Sequence, residues 1–117
     1  MSYDQFQIVT GTAEAAQGSA DATVIGVPGS GKVLRLISIC VAVTVVAASA
    51  GGEVALEDGV GGTRLFEADA DAVGVYTHYF GEAGYPLTAN TLLNITVDGS
   101  GGNQATARCT AVAKIIG

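Results

Sequence analysis

The sequence predicts an all-β protein, an antiparallel β-sandwich, and three observations support this prediction. Hydrophobic residues make up 49% of the 117 residues and charged residues only 14%, so the chain combines enough apolar side chains for a core with a weakly charged surface. The 17 glycines separate runs rich in valine and threonine, a pattern typical of short strands joined by tight turns. Leucine, glutamate, lysine and arginine are scarce, which disfavours a helical bundle.

Each predicted strand alternates apolar with polar residues, or is rich in β-branched ones, between turn signals such as Pro28-Gly29-Ser30-Gly31 and Gly81–Pro86. These strands are Gln5–Thr10, Ala20–Val27, Lys32–Val46, Glu53–Glu57, Thr63–Glu67, Val73–Phe80, Thr91–Val97 and Gln104–Ile116. The alanine-rich segment Thr12–Gln17 is expected to form one helical turn ending at Gly18. Residues 1–18 are a candidate N-terminal arm or edge strand, and residues 19–117 form the sandwich, for which a jelly roll is the simplest arrangement of about eight strands.

Alternation also predicts which face of a strand is buried. In the last strand the small apolar side chains from Ala105 to Ala113 share one parity, so this strand has one dry face and one wet face. The strand Lys32–Val46 is apolar at both parities, so we expect both of its faces to be covered, the second by another subunit. The candidate oligomer interface comprises Leu34, Leu36, Cys40, Tyr76 and His78.

Charge excludes two classes of partner. The net charge is −6, and the cations Lys32, Arg35, Arg64, Arg108 and Lys114 are scattered, whereas phosphate binding requires clustered cations. The sequence therefore predicts no nucleic-acid partner and no anionic membrane partner. The apolar stretch Leu36–Ala48 is shorter than a membrane helix and is mostly β-branched. Met1–Phe6 lacks the charged and apolar regions of a secretory signal.

Two segments partly match known binding motifs, and both matches are incomplete. Gly26–Lys32 matches the phosphate-binding loop G-x-x-x-x-G-K, but Val33 replaces the magnesium-binding serine or threonine, and the following residues predict a strand rather than a helix. Glu67, Asp69 and Asp71 have the spacing that opens a calcium loop, without its later glycine and glutamate. We expect a solvated acidic loop there, and an irregular cation site remains an alternative.

The remaining nucleophiles and bases form no catalytic pattern. His78 is the only histidine and lies in an aromatic run, where packing explains it, and Cys40 lies in the most apolar strand, where a thiolate is disfavoured. Whether Cys40 and Cys109 pair is open at this point; two buried thiols is the simpler interpretation. The sequence thus predicts no catalytic residue, no cofactor, no metal site and no enzyme.

Three segments carry a resemblance to a known family. They are Gly31-Lys32-Val33-Leu34-Arg35-Leu36, Gly52-Glu53-Val54-Ala55-Leu56-Glu57-Asp58-Gly59 and Tyr85-Pro86-Leu87-Thr88-Ala89-Asn90-Thr91-Leu92-Leu93-Asn94-Ile95-Thr96-Val97. Over about residues 31–116 the chain resembles the small head decoration, or cement, proteins of tailed bacteriophages, which have a β-sandwich or jelly-roll fold.

The resemblance implies a function. A decoration protein of this kind is a homo-trimer that is assembled in the host cytoplasm, binds the major capsid protein on the outer surface of the virion and stabilises the shell. The candidate attachment residues are Tyr3, Phe6, Ile8 and Val9, since an extended arm can add a strand to a partner's sheet. The alternative function is a small ligand- or carbohydrate-binding module of the receptor-binding or fibre-tip type, which would use the Gly81–Asn90 loop with Tyr79 and Tyr85.

Overall fold

The computed structural model describes residues 7–16, 21–45, 52–70, 72–98 and 105–117. Within these residues the chain forms nine strands and no helix, which confirms the all-β prediction. The strands are β1 (Gln7–Ala16), β2 (Ala22–Ile25), β3 (Val33–Val45), β4 (Glu53–Asp58), β5 (Arg64–Asp69), β6 (Gly74–Tyr79), β7 (Tyr85–Pro86), β8 (Leu93–Asp98) and β9 (Thr106–Ile116). The two-residue strand β7 lies where the sequence predicted only a turn.

The strands form two antiparallel sheets with a jelly-roll order. Sheet A runs β1-β9-β3-β6, with β7 also pairing β3, and sheet B runs β2-β8-β4-β5. If the short β7 is set aside, the first of eight strands pairs the last, the second pairs the seventh, the third pairs the sixth and the fourth pairs the fifth. A long hairpin wrapped around a barrel produces this order, which is the jelly roll.

The core lies between the two sheets. Sheet B contributes leucine, isoleucine and valine from β4 and β8, and sheet A contributes the leucine, isoleucine and valine side chains of β3 together with a column of alanines and Cys109 from β9, all buried. The predicted parity of β9 is therefore confirmed: its alanines point inward while Arg108 and Thr110 are exposed. The inward side chains of the two sheets interdigitate, as in other β-sandwich cores.

A β-bulge explains why β3 is apolar at both parities. Leu34 and Leu36 point into the core, and the register with β9 then shifts between Leu36 and Ser38, so that Ile39 and Val41 become the inward residues. The strand thus uses even positions before the bulge and odd positions after it. The expectation that a second subunit covers Leu34 and Leu36 was wrong, because each side chain is 1% exposed in its own chain's core.

β1 is the edge strand of sheet A and pairs β9 along its whole length, from Gln7 opposite Ile115 to Ala16 opposite Thr106. The expected helical turn at Thr12–Gln17 is wrong over its described part, because pairing with β9 outweighs the helix propensity of alanine. At Gly11 the strand crosses very close to β2: a Cβ there would lie 1.9 Å from the carbonyl oxygen of Val24.

Candidate functional surfaces

The outer face of sheet A, which we call the A face, is uncharged over its centre. Alternation away from the buried residues places the following side chains there: Thr10, Thr12, Ser38, Cys40, Thr77, Tyr79, Thr110 and Val112. Thr12 and Thr110 share a hydrogen bond between their hydroxyls, 3.2 Å long. An open depression of about 350 Å³ lies at this centre, lined by side chains that include Cys40, Thr77 and Thr110.

Charged residues occupy only the two ends of the A face. At one end Arg108 donates a hydrogen bond of 3.0 Å to Glu14. At the other end Arg35 and Lys114 are neighbours on paired strands, close to the 51% exposed Ile8. Since both members of the Arg108–Glu14 pair are well exposed, solvent screens that attraction, and the pair contributes little to stability. The A face is therefore uncharged in its middle, with its cations at the ends.

The outer face of sheet B, which we call the B face, is acidic. Its carboxylates come from neighbouring strands of the sheet and from the residue before β2: Glu53, Glu57, Glu67, Asp69, Asp98 and Asp21. Arg64 is the cation in their midst and donates hydrogen bonds to Glu53 and Asp98, with Glu57 at 3.8 Å and Glu67 at 3.7 Å. The bond to Asp98 raises the pKa of Arg64 above its already high value. One arginine thus holds together a face on which like charges would otherwise repel.

Glu57 is the buried member of this acidic group. One of its oxygens accepts hydrogen bonds from the Gly61 amide at 3.2 Å and from Asn94 Nδ2 at 2.9 Å, and the same Nδ2 donates to Asp21 at 3.1 Å. Asn94 is itself buried, and both of its donors are used, which fixes the orientation of its amide. These bonds compensate the cost of burying a carboxylate and attach the β4–β5 turn to β8.

An aromatic cluster lies where β6 runs into the Gly81–Tyr85 loop. The rings of His78 and Phe80 meet edge to face with centroids 4.5 Å apart, and Phe80 lies 5.9 Å from Tyr85. Tyr85 and the neighbouring Tyr79 are both exposed. Aromatic rings that are packed on one side and exposed on the other can stack against a flat apolar ligand surface.

The structure divides the predicted oligomer interface between the core and the surface. Leu34 and Leu36 are core residues and are excluded from any surface, as described above. Cys40 is exposed at the centre of the A face, whereas Tyr76 is half-buried on the opposite side of β6, where it packs against the core. His78 is exposed within the aromatic cluster. An interface at Cys40, Tyr76 and His78 stays a prediction. The sequence analysis did not identify the A-face threonines around Cys40, because the position of the bulge in β3 cannot be read from the sequence.

The predicted attachment residues fall partly outside the described residues. Tyr3 and Phe6 lie outside them, so the part of the predicted arm of residues 1–18 that precedes Gln7 stays a prediction. Ile8 and Val9 belong to β1, with Ile8 exposed on the A face and Val9 half-buried against the core. Residues 7–16 are thus a strand of the sandwich itself.

The two cysteines are free and lie on opposite faces of sheet A. Cys40 is exposed on the outer face, and Cys109, next to Val41 on the adjacent strand, points into the core. Burial raises the pKa of Cys109 to about 12, so this thiol stays protonated and unreactive near neutral pH. The open question of pairing is answered by this geometry, since a disulfide cannot form through the sheet. The interpretation of the two residues as buried thiols is confirmed for Cys109 and is wrong for Cys40, which is exposed.

The two motif-like segments have ordinary structures. Gly29 and Lys32 close a turn with a 3.1 Å hydrogen bond, and strand β3 follows directly, so the helix that a phosphate-binding loop needs is replaced by a strand. Glu67 and Asp69 lie on β5, and Asp71 falls outside the described residues. In the described ranges no group of three or more His, Cys, Asp or Glu side chains is placed to hold a metal ion. No helix of the described residues is long and apolar enough to cross a membrane.

Comparison with known proteins gives similarity in structure and none in sequence. No family model and no curated protein matches the chain. The chain is similar to the structure of the infectious bursal disease virus Gx strain, with 12% identity and a TM-score of 0.36, over 97% of this chain and 32% of that one. It is also similar to the VP2 subviral particle of infectious bursal disease virus, with 14% identity and a TM-score of 0.31, over 96% of this chain and 37% of the other. The chain thus spans about a third of the length of these virus-particle proteins.

Proposed function

We propose that this chain is a structural protein of a virus particle, a decoration protein that binds the outer surface of a bacteriophage head as a homo-trimer and bridges subunits of the major capsid protein. The observation that supports the proposal is the A face, a sheet surface of the jelly roll that is uncharged over its centre. Interfaces between proteins are depleted of charge at their centre and charged at their rim, and the A face has this arrangement.

Trimer formation would make attachment tight. Three equal contacts held in one particle act at a high effective concentration, so individually weak contacts add up to firm binding. A protein that binds only the expanded shell stabilises that state by mass action, without any chemical step. No catalytic activity is part of this proposal. Assembly in the host cytoplasm follows from the same resemblance to phage decoration proteins.

Attachment is tested with expanded tailed-phage heads stripped of their own decoration proteins. The fluorescently labelled chain is expected to co-sediment with the heads and to saturate them at a whole number of copies per threefold position, but to leave unexpanded procapsids unlabelled. A variant lacking Met1–Phe6 is expected to bind more weakly while keeping its melting temperature, because the deletion leaves the described strand β1, Gln7–Ala16, intact. If that variant binds as tightly as the intact chain, Met1–Phe6 is not an attachment arm. No binding by the intact chain to any head would eliminate the decoration function.

The aromatic cluster favours a second candidate function, a carbohydrate-binding module. Tyr85, packed on Phe80 with centroids 5.9 Å apart, presents an exposed ring beside a turn, which suits stacking against a sugar. A glycan array distinguishes the two functions: binding to a defined glycan that Tyr85→Ala abolishes would support the module. A blank array together with binding to heads would support the decoration protein.

A further inference from the structure

We propose that β6, an edge strand of sheet A, pairs with β6 of a second copy of this chain, so that the two copies share one continuous sheet. The two strands run antiparallel about a twofold axis at Thr77, which places Thr77 opposite its own counterpart and Val75 opposite Tyr79 of the other copy. This contact goes beyond the proposed function: a twofold contact joins one copy to one other, so it would link neighbouring trimers rather than close a trimer.

The backbone of β6 has one edge without a neighbouring strand in the described part of the chain. Sheet A runs β1-β9-β3-β6, so β6 has β3 on one side and no described strand on the other. The Phe80 amide donates to the Ile37 carbonyl oxygen at 2.7 Å, which identifies the bonded pairs between the two strands. Because bonded and non-bonded pairs alternate in an antiparallel ladder, the backbone groups of Val75, Thr77 and Tyr79 point away from β3. The N–H and C=O groups of these residues can therefore bond another strand.

Of the four edge strands in the described sheets, three are protected against such pairing and β6 is not. β5 carries charged residues, Arg64 and Glu67 among them, and β2 contains a register shift. β1 and β2 also lie so close together that a Cβ at Gly11 would be 1.9 Å from the Val24 carbonyl oxygen. Charges, bulges and covering segments are the usual means by which edge strands avoid one another. β6 contains no Asp, Glu, Lys, Arg or proline, and its register with β3 is unshifted.

The sequence of β6 is complementary to itself in this register. Val75, Thr77 and Tyr79 are all exposed on the A face. Opposed to itself about Thr77, the strand forms valine–tyrosine pairs and a threonine–threonine pair, which are among the cross-strand pairs that stabilise antiparallel sheets. This register also uses all three free backbone residues of both copies, with two hydrogen bonds at each pair. Val60 is as exposed as Val75, at 67%, but it lies in a turn and offers no strand edge.

Charge permits this contact between copies of an acidic chain. The net charge is −6, so copies repel one another unless their carboxylates stay apart. The B-face carboxylates nearest to β6, such as Glu67 on β5, project from the opposite sheet, which lies ~10 Å from sheet A. That distance is about a Debye length at physiological salt, ~8 Å. Two copies can therefore meet at β6 without placing like charges directly opposite each other.

The contact is weak by itself and depends on local concentration. One pair of six-residue strands buries less than the about 800 Å² per partner of a stable interface. Copies attached to one shell are held at neighbouring positions, where a high effective concentration compensates for low affinity. The contact thus forms between copies that another interaction has already brought together, or in concentrated solution.

The test traps the contact as a disulfide in a Cys40→Ser background, because Cys40 lies beside Thr77 on β3. Thr77→Cys is compared with Val75→Cys, a change at another exposed residue of the same strand. The two copies of residue 77 would have Cα atoms ~5.5 Å apart, within disulfide range, whereas the two copies of residue 75 would be ~13 Å apart along the strands. Under mild oxidation at high chain concentration, denaturing electrophoresis should show covalent dimer forming at least tenfold faster for Thr77→Cys.

Two further variants test the pairing itself. A mixture of Val75→Cys and Tyr79→Cys chains should cross-link as fast as Thr77→Cys, because these residues are opposed in the proposed register. Addition of Val75→Pro to Thr77→Cys should slow cross-linking to the rate of Val75→Cys. Proline removes an N–H that points to the free edge and leaves the bonds to β3 in place, so the circular dichroism spectrum should be unchanged.

The other outcomes overturn the inference. Equal rates for Thr77→Cys and Val75→Cys would show only random collision between copies. Faster cross-linking of Val75→Cys would exclude the register centred on Thr77. A difference that appears only after deletion of Met1–Phe6 would mean that the chain's own N-terminal segment occupies the edge. Binding to phage heads is measured separately, so failure of this contact and failure of the decoration function are distinguishable.

Discussion

Deleting Ile37 tests whether the bulge in β3 decides which side chains enter the core. The register shift between Leu36 and Ser38 places Leu36 inward before the bulge and Val41 inward after it. Ile37 is the extra residue between these two sets, and successive side chains of a regular strand alternate between its two faces. Deletion of Ile37 should therefore make the strand regular and leave both sets buried.

The size of the effect follows from what is exposed. If both sets stay buried, the deletion removes only the half-buried Ile37 side chain, which should reduce the free energy of unfolding by about 1–2 kcal/mol. A slip of the strand that exposed Leu34 and Leu36, each 1% exposed in the folded chain, would instead cost about 1.5–3 kcal/mol for each side chain. A domain of this size is stable by about 5–15 kcal/mol, so such a slip would bring it close to unfolding.

Urea unfolding followed by far-ultraviolet circular dichroism measures the loss. The matched control is Ile37→Ala, which keeps the residue count and the bulge and should cost about 1–2 kcal/mol through its half-buried side chain. The deletion should cost about as much as Ile37→Ala, so the two urea midpoints should be similar. With a slope of roughly 1–3 kcal/mol per molar urea, a midpoint of the deletion variant ~1 M or more below that of Ile37→Ala would mean that one buried set is exposed, and the reasoning would be refuted.

Three further predictions concern single contacts. Gly11→Ala should lower the melting temperature by several degrees, because its Cβ would lie 1.9 Å from the Val24 carbonyl oxygen; an unchanged melting curve would contradict that close approach. Burial raises the pKa of Cys109 to about 12, so the thiol loses its proton at lower pH in the unfolded chain than in the folded one. The free energy of unfolding should therefore fall as pH rises from about 9 to about 12. Urea midpoints measured against pH should lack this contribution in Cys109→Ala. Arg64→Met should be less stable than wild type at low salt and recover part of the loss in ~0.5 M salt, as urea midpoints at both salts would show; a loss independent of salt would rule out carboxylate repulsion as its cause.

The sequence predicts the buried face of a strand correctly where inward and outward side chains alternate without interruption along that strand. The alternation from Ala105 to Ala113 and from Leu93 to Val97 describes β9 and β8 correctly, because a strand with one wet face shows its period directly. β1 shows the same alternation of apolar and polar residues, with Ala13 and Ala15 alternating with Thr12 and Glu14. Alanine content suggested a helical turn there, and long-range pairing with β9 overrides that local preference.

The candidate surfaces were harder to predict, for two physical reasons. A bulge leaves no mark in the sequence other than apolar residues at both parities, and a second subunit explains that pattern equally well. The grouping of the charged residues on one face was equally hard to predict. Arg64 and its carboxylate partners are spread from Glu53 to Asp98, so they meet only when β4, β5 and β8 pair. Strand order, which a single sequence does not contain, separates the acidic B face from the A face.

The separation of charge between the two faces gives the molecule an electric dipole perpendicular to its sheets. Within about a Debye length of a charged surface, such a dipole experiences a torque as well as an attraction. Before any contact forms, a negatively charged surface would turn the A-face cations Arg35, Arg108 and Lys114 towards itself, and a positively charged surface would turn the carboxylates around Arg64 inward. Approach to a highly charged particle would therefore be oriented from the outset, with fewer unproductive collisions.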